Sequence, residues 1–91
     1  MSEAVARLVR VHGDVQGVFF RDSTRTEASR RGVAGWVRNC ADGTVEALFE
    51  GDPVEVAAMV RWCASGPPRA TVDRVDEQAA DPDGLTTFEV R

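Results

Sequence analysis

The sequence predicts an α+β fold in which one antiparallel sheet carries two helices on a single face. Stretches that alternate apolar and polar residues, as strands do, are interleaved with two stretches of helical character. Glycine, proline and aspartate turn signals separate these stretches at short intervals. The 91 residues, of which 43% are hydrophobic, suit a single domain over 1–91 with one core.

The first half of the chain predicts a strand, a helix and a hairpin. The stretch 5–12 is rich in β-branched residues and predicts the first strand, and a glycine-containing turn follows it. The stretch 22–31 predicts a helix that ends at Gly32, although its apolar face is thin. Two further strands are predicted over 35–40 and 44–50, joined by a hairpin at Asp42-Gly43. The second of them alternates cleanly, with Thr44, Glu46 and Glu50 on its polar side, which predicts a half-buried strand.

The second half predicts a helix and two strands. Asp52 suits the N-cap of the helix, Pro53 its first position, and Glu55 completes a capping box. Apolar residues recur at helical spacing from Val56 to Cys63, and the Gly-Pro-Pro sequence at 66–68 ends the helix. A fourth strand is predicted over 70–78, a turn over 81–84 and a short last strand over 88–90. This order is the split βαβ, ferredoxin-like plan, βαββαβ plus a short C-terminal strand.

The composition excludes several classes of function. All eleven basic residues are arginines, so there is neither a Walker-type phosphate loop nor a Schiff-base lysine. One histidine and two cysteines do not suffice for the usual zinc sites, so we expect no metal and no cofactor. Cys40 and Cys63 are expected to be free thiols. A net charge of −4, and the absence of a membrane-spanning run or a signal-peptide pattern, predict a cytoplasmic monomer without nucleic-acid or membrane partners.

The segment from Gly13 to Arg21 predicts a phosphate site. Glycines let the backbone turn tightly, so that successive N–H groups aim at one point and form a concave anion site. The helix that follows adds free N–H groups and the positive end of its dipole. Arg21 adds a planar fork of donors that matches phosphate oxygens. The alternative is a strand-to-helix turn without a binding role. The combination of glycines, a helix start and an arginine disfavours it.

Asn39 is the candidate for orienting a water molecule near this turn. Its amide carries a donor and an acceptor, so it holds a water in a fixed orientation without taking a proton. Asparagine before an Asp-Gly turn is more commonly a turn residue, and the residues alone favour that interpretation. His12 is a possible general base, but an exposed strand residue is the simpler reading.

Two clusters of this sequence resemble the two signatures of the acylphosphatase family. The first is the VQGV segment with the Phe-Arg that follows, over 15–21, and the second is GWVRN at 35–39 followed by DGTVE at 42–46. The resemblance extends over 6–91. It implies hydrolysis of the carboxyl–phosphate bond of acyl phosphates, giving a carboxylate and inorganic phosphate, with the substrate's own phosphate accepting the proton of the water. Arg21 and Asn39 would be the catalytic residues, Asn39 orienting the water. The phosphoryl group would be bound by Arg21 and by the six residues before it, which are Val15, Gln16, Gly17, Val18, Phe19 and Phe20.

Two other functions suit the same fold. A non-catalytic anion- or metabolite-binding module would use the same loop without turnover. An RNA-binding domain would display aromatic and basic side chains on the open face of its sheet, which the acidic composition and six aromatic residues disfavour. Asp14 departs from the family pattern, because it places a negative charge beside a loop that would hold an anion.

Overall fold

The element order of the computed structural model, which describes residues 3–91, is the predicted one. The strands and helices are β1 (Val5–Asp14), α1 (Phe20–Arg31), β2 (Ala34–Asn39), β3 (Val45–Gly51), α2 (Pro53–Cys63), β4 (Thr71–Ala80) and β5 (Phe88–Val90). No helix of the described residues is long and apolar enough to cross a membrane.

The sheet has the strand order β4-β1-β3-β2-β5. The four longer strands are antiparallel, as predicted, whereas β5 pairs parallel with β2 and makes the sheet mixed. The difference arises because β4 and β5 lie at opposite edges. The chain crosses one end of the sheet through residues 81–87 and then runs alongside β2 in the same direction. We call residues 81–87 the crossing loop.

Glu50 fixes the crossing loop to the sheet. Its carboxylate accepts hydrogen bonds from the amides of Asp83, Gly84 and Leu85 at 2.8, 2.8 and 2.9 Å. The side chain is buried, so the prediction of a half-buried β3 is wrong for this residue. A carboxylate that accepts several N–H bonds is stable in such a place, because the protein donors replace water.

The same correction applies to the other polar residues of the strand predicted over 44–50. Thr44 and Glu46 are also buried, because Arg10 of β1 bonds to both and Arg38 of β2 bonds to Glu46. The guanidinium of Arg38 lies 2.8 Å (Nε) from the carboxylate of Glu46. Alternation therefore identified the two faces of the strand correctly, while side chains from its neighbours cover the polar one.

The core lies between the sheet and the two helices. It contains buried side chains from β1, β2 and β3 together with Val56, Met59 and Cys63 of α2. Asp52 caps α2 as predicted, by accepting a bond from the amide of Val54 at 2.9 Å. The predicted capping box is not completed, because the carboxylate of Glu55 pairs with Arg31 of α1 at 3.0 Å. This ion pair joins the two helices.

Helix α1 begins two residues before the predicted start. Its buried face is formed by Phe20, Thr24 and Ala28, four residues apart. Phe20 supplies the apolar surface that the predicted helix lacked, and the hydroxyl of Thr24 is satisfied by donating to the main-chain oxygen of Phe20 at 2.7 Å. Gly32 ends the helix in the left-handed conformation, as predicted.

Candidate active site

A cleft of about 250 Å³ lies at the end of the sheet opposite the crossing loop. The ends of β1, β2 and β5 and the start of α1 meet there. It is lined by Val15, Gly17, Phe19, Phe20, Arg21, Asp22, Asn39 and Val90. The structure therefore brings Arg21 and Asn39, which are distant in sequence, to one cleft together with much of the glycine-containing loop.

The β1–α1 loop, residues 15–19, is anchored at its two ends by buried side chains. Val15 is fully buried at one end, and Phe20, just beyond the other, packs edge-on against Trp62 at 5.6 Å between ring centroids. Between them Gly17 has φ of 74°, a conformation that glycine adopts without strain. The two anchors hold the ends of the loop, of which Val15, Gly17 and Phe19 line the cleft.

The main-chain amides of residues 15–20 have no acceptor among the described residues of the protein. Within residues 3–91, no hydrogen bond from any of these six amides to another protein group is found. Unpaired amides at the start of a helix, near the positive end of its dipole, form a natural anion site. The loop is thus able to donate several hydrogen bonds to a bound anion.

The side chain of Gln16 ties this loop to the β2–β3 turn. Its Nε2 donates to the main-chain oxygens of Cys40 and Thr44 at 2.7 and 3.0 Å. These two residues frame the turn that directly follows Asn39. Sequence reasoning assigned only the amide of Gln16 and missed this contact, since a bond across the fold leaves no mark on local spacing.

Arg21 is half-buried at the start of α1. Its Nη1 donates to the main-chain oxygen of Arg91 at 3.0 Å, which fixes the guanidinium beside the end of β5. Five N–H donors are available on a guanidinium, so this one bond leaves most of them for an anion. The contribution of residues 90–91 to the cleft was not anticipated from the sequence.

Asn39 is the last residue of β2 and is exposed at the cleft. The turn after it is well ordered by hydrogen bonds, because the amide of Cys40 donates to the oxygen of Thr44 at 2.8 Å. Asp42 reinforces the turn by accepting bonds from the amide and hydroxyl of Thr44. These bonds hold the pKa of the Asp42 carboxyl below its usual value.

Two acidic residues flank the cleft in different ways. Asp14 is exposed and is not among the residues that line it. Asp22, which the sequence did not single out, does line the cleft, and its carboxylate lies 3.7 Å from the guanidinium of Arg25. A negative charge in the first turn of a helix also interacts favourably with the helix dipole.

His12 does not belong to the cleft. Its Nε2 lies 2.9 Å from a carboxylate oxygen of Asp76 on β4, on the open face of the sheet. The hydrogen bond from His12 lowers the pKa of the Asp76 carboxyl. The histidine therefore has a cross-strand partner, and it is half-buried rather than exposed as predicted.

The two cysteines are free thiols, as predicted. Burial raises the pKa of the Cys63 thiol to about 12, so it is inert in the folded protein. Among residues 3–91 no group of three or more histidine, cysteine or acidic side chains is arranged to hold a metal ion.

A larger groove, of about 400 Å³, lies on the open face of the sheet. Its charged lining residues are Arg10, Glu46, Asp76 and Glu77, with acids in excess. Arg10 is itself engaged by Glu46 at 3.1 Å. The smaller cleft is the better candidate for an anion, because free amides and a guanidinium are found there.

Comparison with known proteins gives a consistent result. The family model described as acylphosphatase matches residues 7–90. An acylphosphatase of Gloeobacter violaceus is 53% identical over 90 residues, which cover 99% of this chain and 97% of the relative. The solved acylphosphatase of Coxiella burnetii superposes with a TM-score of 0.93 at 35% identity, covering 97% of this chain and 93% of that chain. The crystal structure of the Bacillus subtilis acylphosphatase gives a TM-score of 0.92 at 33% identity, with 96% and 98% covered. The ferredoxin-like fold predicted from the element order is thereby confirmed, and the chain belongs to the acylphosphatase family.

Proposed function

We propose that the amides of residues 15–20 and the guanidinium of Arg21 bind the phosphoryl group of an acyl phosphate, and that Asn39 orients the attacking water. The products are a carboxylate and inorganic phosphate, in keeping with the activity of the family. The observation that carries the proposal is the run of six amides at 15–20 for which residues 3–91 provide no acceptor, in a loop that lines the same cleft as Arg21 and Asn39.

The chemistry requires little beyond these groups. Phosphoryl transfer spreads negative charge over the equatorial oxygens, where fixed donors stabilise the transition state. The carboxylate of an acyl phosphate is a good leaving group, so the remaining requirement is a water molecule held in line with the phosphorus. The water oxygen bonds to phosphorus as the bond to the carboxyl oxygen breaks, and the proton passes to a phosphate oxygen.

Asn39 is suited to orienting the attacking water, because its amide oxygen accepts a hydrogen bond from the water and its amide nitrogen donates to a second group. No side-chain base is needed in this scheme, which agrees with the position of His12, which bonds to Asp76 and does not line the cleft. We further propose a single-domain monomer that acts in the cytoplasm on a small acyl phosphate, without metal, cofactor, nucleic acid or membrane. The net charge of −4 disfavours nucleic-acid partners and so supports that view.

The test is hydrolysis of acetyl phosphate in the presence of a chelator, with inorganic phosphate as competitive inhibitor. Arg21→Ala should abolish both turnover and phosphate binding, because the bidentate donor is lost. Asn39→Ala should retain phosphate inhibition while kcat falls by roughly 10²–10³, the usual effect of losing one preorganised donor.

Arg61→Ala is a matched control, since Arg61 is an exposed arginine of α2 that does not line the cleft. It should behave like the wild-type protein. An Asn39→Ala protein with wild-type kcat would refute the assignment of water positioning. A wild-type protein that bound phosphate without turnover would identify the non-catalytic anion-binding module instead.

A further inference from the structure

We infer that the aromatic ring of Phe19, backed by Arg69, binds the acyl group of the substrate and gives the enzyme a preference for aromatic acyl phosphates. The inference rests on the proposed function, because it takes the phosphoryl group to lie against the amides of the β1–α1 loop. It adds a subsite for the other half of the substrate.

The first observation is that the backbone of Phe19 is strained without a benefit to the core. With φ of 63° it is the one non-glycine residue among residues 3–91 with a positive φ, a conformation unfavourable for a bulky side chain. The residue is 65% exposed, so the strain is not offset by burial. Glycine would fit this backbone better. A strained aromatic residue at a cleft is the kind of outlier that points to a role in binding.

The second observation is the position of Phe19 at the cleft. It lies two residues after Gly17 and two before Arg21, all three of which line the cleft. In an acyl phosphate a single oxygen separates phosphorus from the acyl carbon. A phosphoryl group held by the amides of this loop therefore leaves the acyl group within a few bond lengths of the loop's own side chains. Among the lining residues, Phe19 is the large apolar side chain that is exposed.

The third observation is the support given to the ring. The guanidinium of Arg69, in the segment between α2 and β4, lies over the ring of Phe19 at 5.9 Å from its centroid. A cation over the face of an aromatic ring is an attractive arrangement that limits the motion of an exposed side chain. It occupies one face of the ring. The other face and the edge remain available to a flat group, and aromatic pairs prefer offset-stacked or edge-to-face contacts of this kind.

The test compares benzoyl phosphate with acetyl phosphate as substrates. For each protein the ratio of the two kcat/KM values is measured, which cancels the different intrinsic reactivities of the substrates when variants are compared. Phe19→Ala should lower the benzoyl-to-acetyl ratio by roughly three- to tenfold, the effect expected for loss of one aromatic contact. Phe19→Gly should lower the ratio equally while raising the melting temperature, because glycine relieves the backbone strain.

Two further variants separate stacking from general effects. Phe19→Leu keeps an apolar side chain without a ring and should lose part of the preference. Val54→Ala removes another exposed apolar side chain, at the start of α2 and outside the cleft, and should leave the ratio and both rates unchanged. Arg69→Gln should lower the ratio by about twofold through loss of the support to the ring.

The outcomes are distinct. A benzoyl-to-acetyl ratio that is the same in the wild-type, Phe19→Ala and Phe19→Gly proteins overturns the inference and leaves the proposed function intact. An equal loss of both activities also overturns it, because the ring would then act on the phosphoryl half. Wild-type protein without turnover of either substrate refutes the proposed function and the inference together.

Discussion

The tether from Gln16 to the β2–β3 turn should be needed for both stability and turnover. Its side-chain nitrogen donates to the oxygens of Cys40 and Thr44 at 2.7 and 3.0 Å, and so joins the β1–α1 loop to the turn that follows Asn39. Gln16→Met keeps the length of the side chain and removes both donors. The substitution removes the link between the β1–α1 loop and the β2–β3 turn and leaves every main-chain amide in place.

The expected loss of stability follows from the hydrogen bonds involved. Each net contribution is about 0.5–1.5 kcal/mol, so two bonds give about 1–3 kcal/mol. Both carbonyls keep a second donor, since Gly43 donates to the oxygen of Cys40 at 3.2 Å and Cys40 donates to the oxygen of Thr44 at 2.8 Å. No buried acceptor is left unpaired, which favours the lower half of that range, about 1–2 kcal/mol. For a domain of this size that corresponds to a decrease in Tm of about 4–16 °C.

The assays are thermal unfolding followed by circular dichroism and steady-state hydrolysis of acetyl phosphate. We expect kcat to fall by about tenfold, because small displacements of a positioning group are costly in catalysis. Gln16→Glu is the informative companion variant, since its carboxylate has the same shape but would face two carbonyl oxygens, and it should be the less stable of the two. A Gln16→Met protein with unchanged Tm and kcat would refute the reasoning.

Three other predictions follow from buried and paired groups. Glu50→Gln should lower the free energy of unfolding by about 2–4 kcal/mol in urea titrations, because at least one amide of the crossing loop loses a charged acceptor; an unchanged midpoint would contradict this. At pH 8, iodoacetamide should modify Cys40 in the native protein and leave Cys63 unmodified in mass spectra, because burial raises the pKa of Cys63 to about 12; early labelling of Cys63 would count against it. His12→Ala should raise the pKa of Asp76 towards its ordinary value of 3.8 in an NMR titration, with acetyl phosphate hydrolysis unchanged. Since the folded pKa of Asp76 is lowered, its contribution to stability is present above that ordinary value and is lost as pH falls through the folded pKa. The free energy of unfolding of the variant should therefore depend less on pH in that range.

Sequence patterns predicted the fold well because each element carries a local signal. The Asp-Pro start of α2, the glycine after α1 and the Asp-Gly turn act within a few residues of themselves, and all were found as predicted. The errors share a different cause. The burial of Thr44 and Glu46 depends on side chains of other strands, and that of Glu50 on main-chain amides of the crossing loop. The start of α1 depends on the packing of Phe20 against Trp62 of α2. Local spacing records none of these contacts.

The candidate site likewise contains residues that the sequence predicted and contacts that it did not predict. Arg21 and Asn39 were identified by residue type and by resemblance to a family, and the fold brings both to one cleft. The side-chain contacts of Gln16, the oxygen of Arg91 and the conformation of Phe19 could not be predicted, since each depends on the distance between segments far apart in the chain or on a backbone angle.

The oxygen of Arg91 connects the far end of the molecule to the cleft. Glu50 holds the crossing loop at one end of the sheet, the loop leads directly into β5, and the residue after β5 accepts the bond from Arg21 at the other end. A loosened crossing loop would therefore change the position of the guanidinium as well as the stability of the fold. The groups proposed to bind phosphate are mostly main-chain amides. Their positions depend on the side chains that fix the backbone, so side chains outside the site determine its geometry. Variation at Phe19, whose side chain leaves those amides in place, can then alter which acyl group is preferred while the phosphoryl group is bound as before.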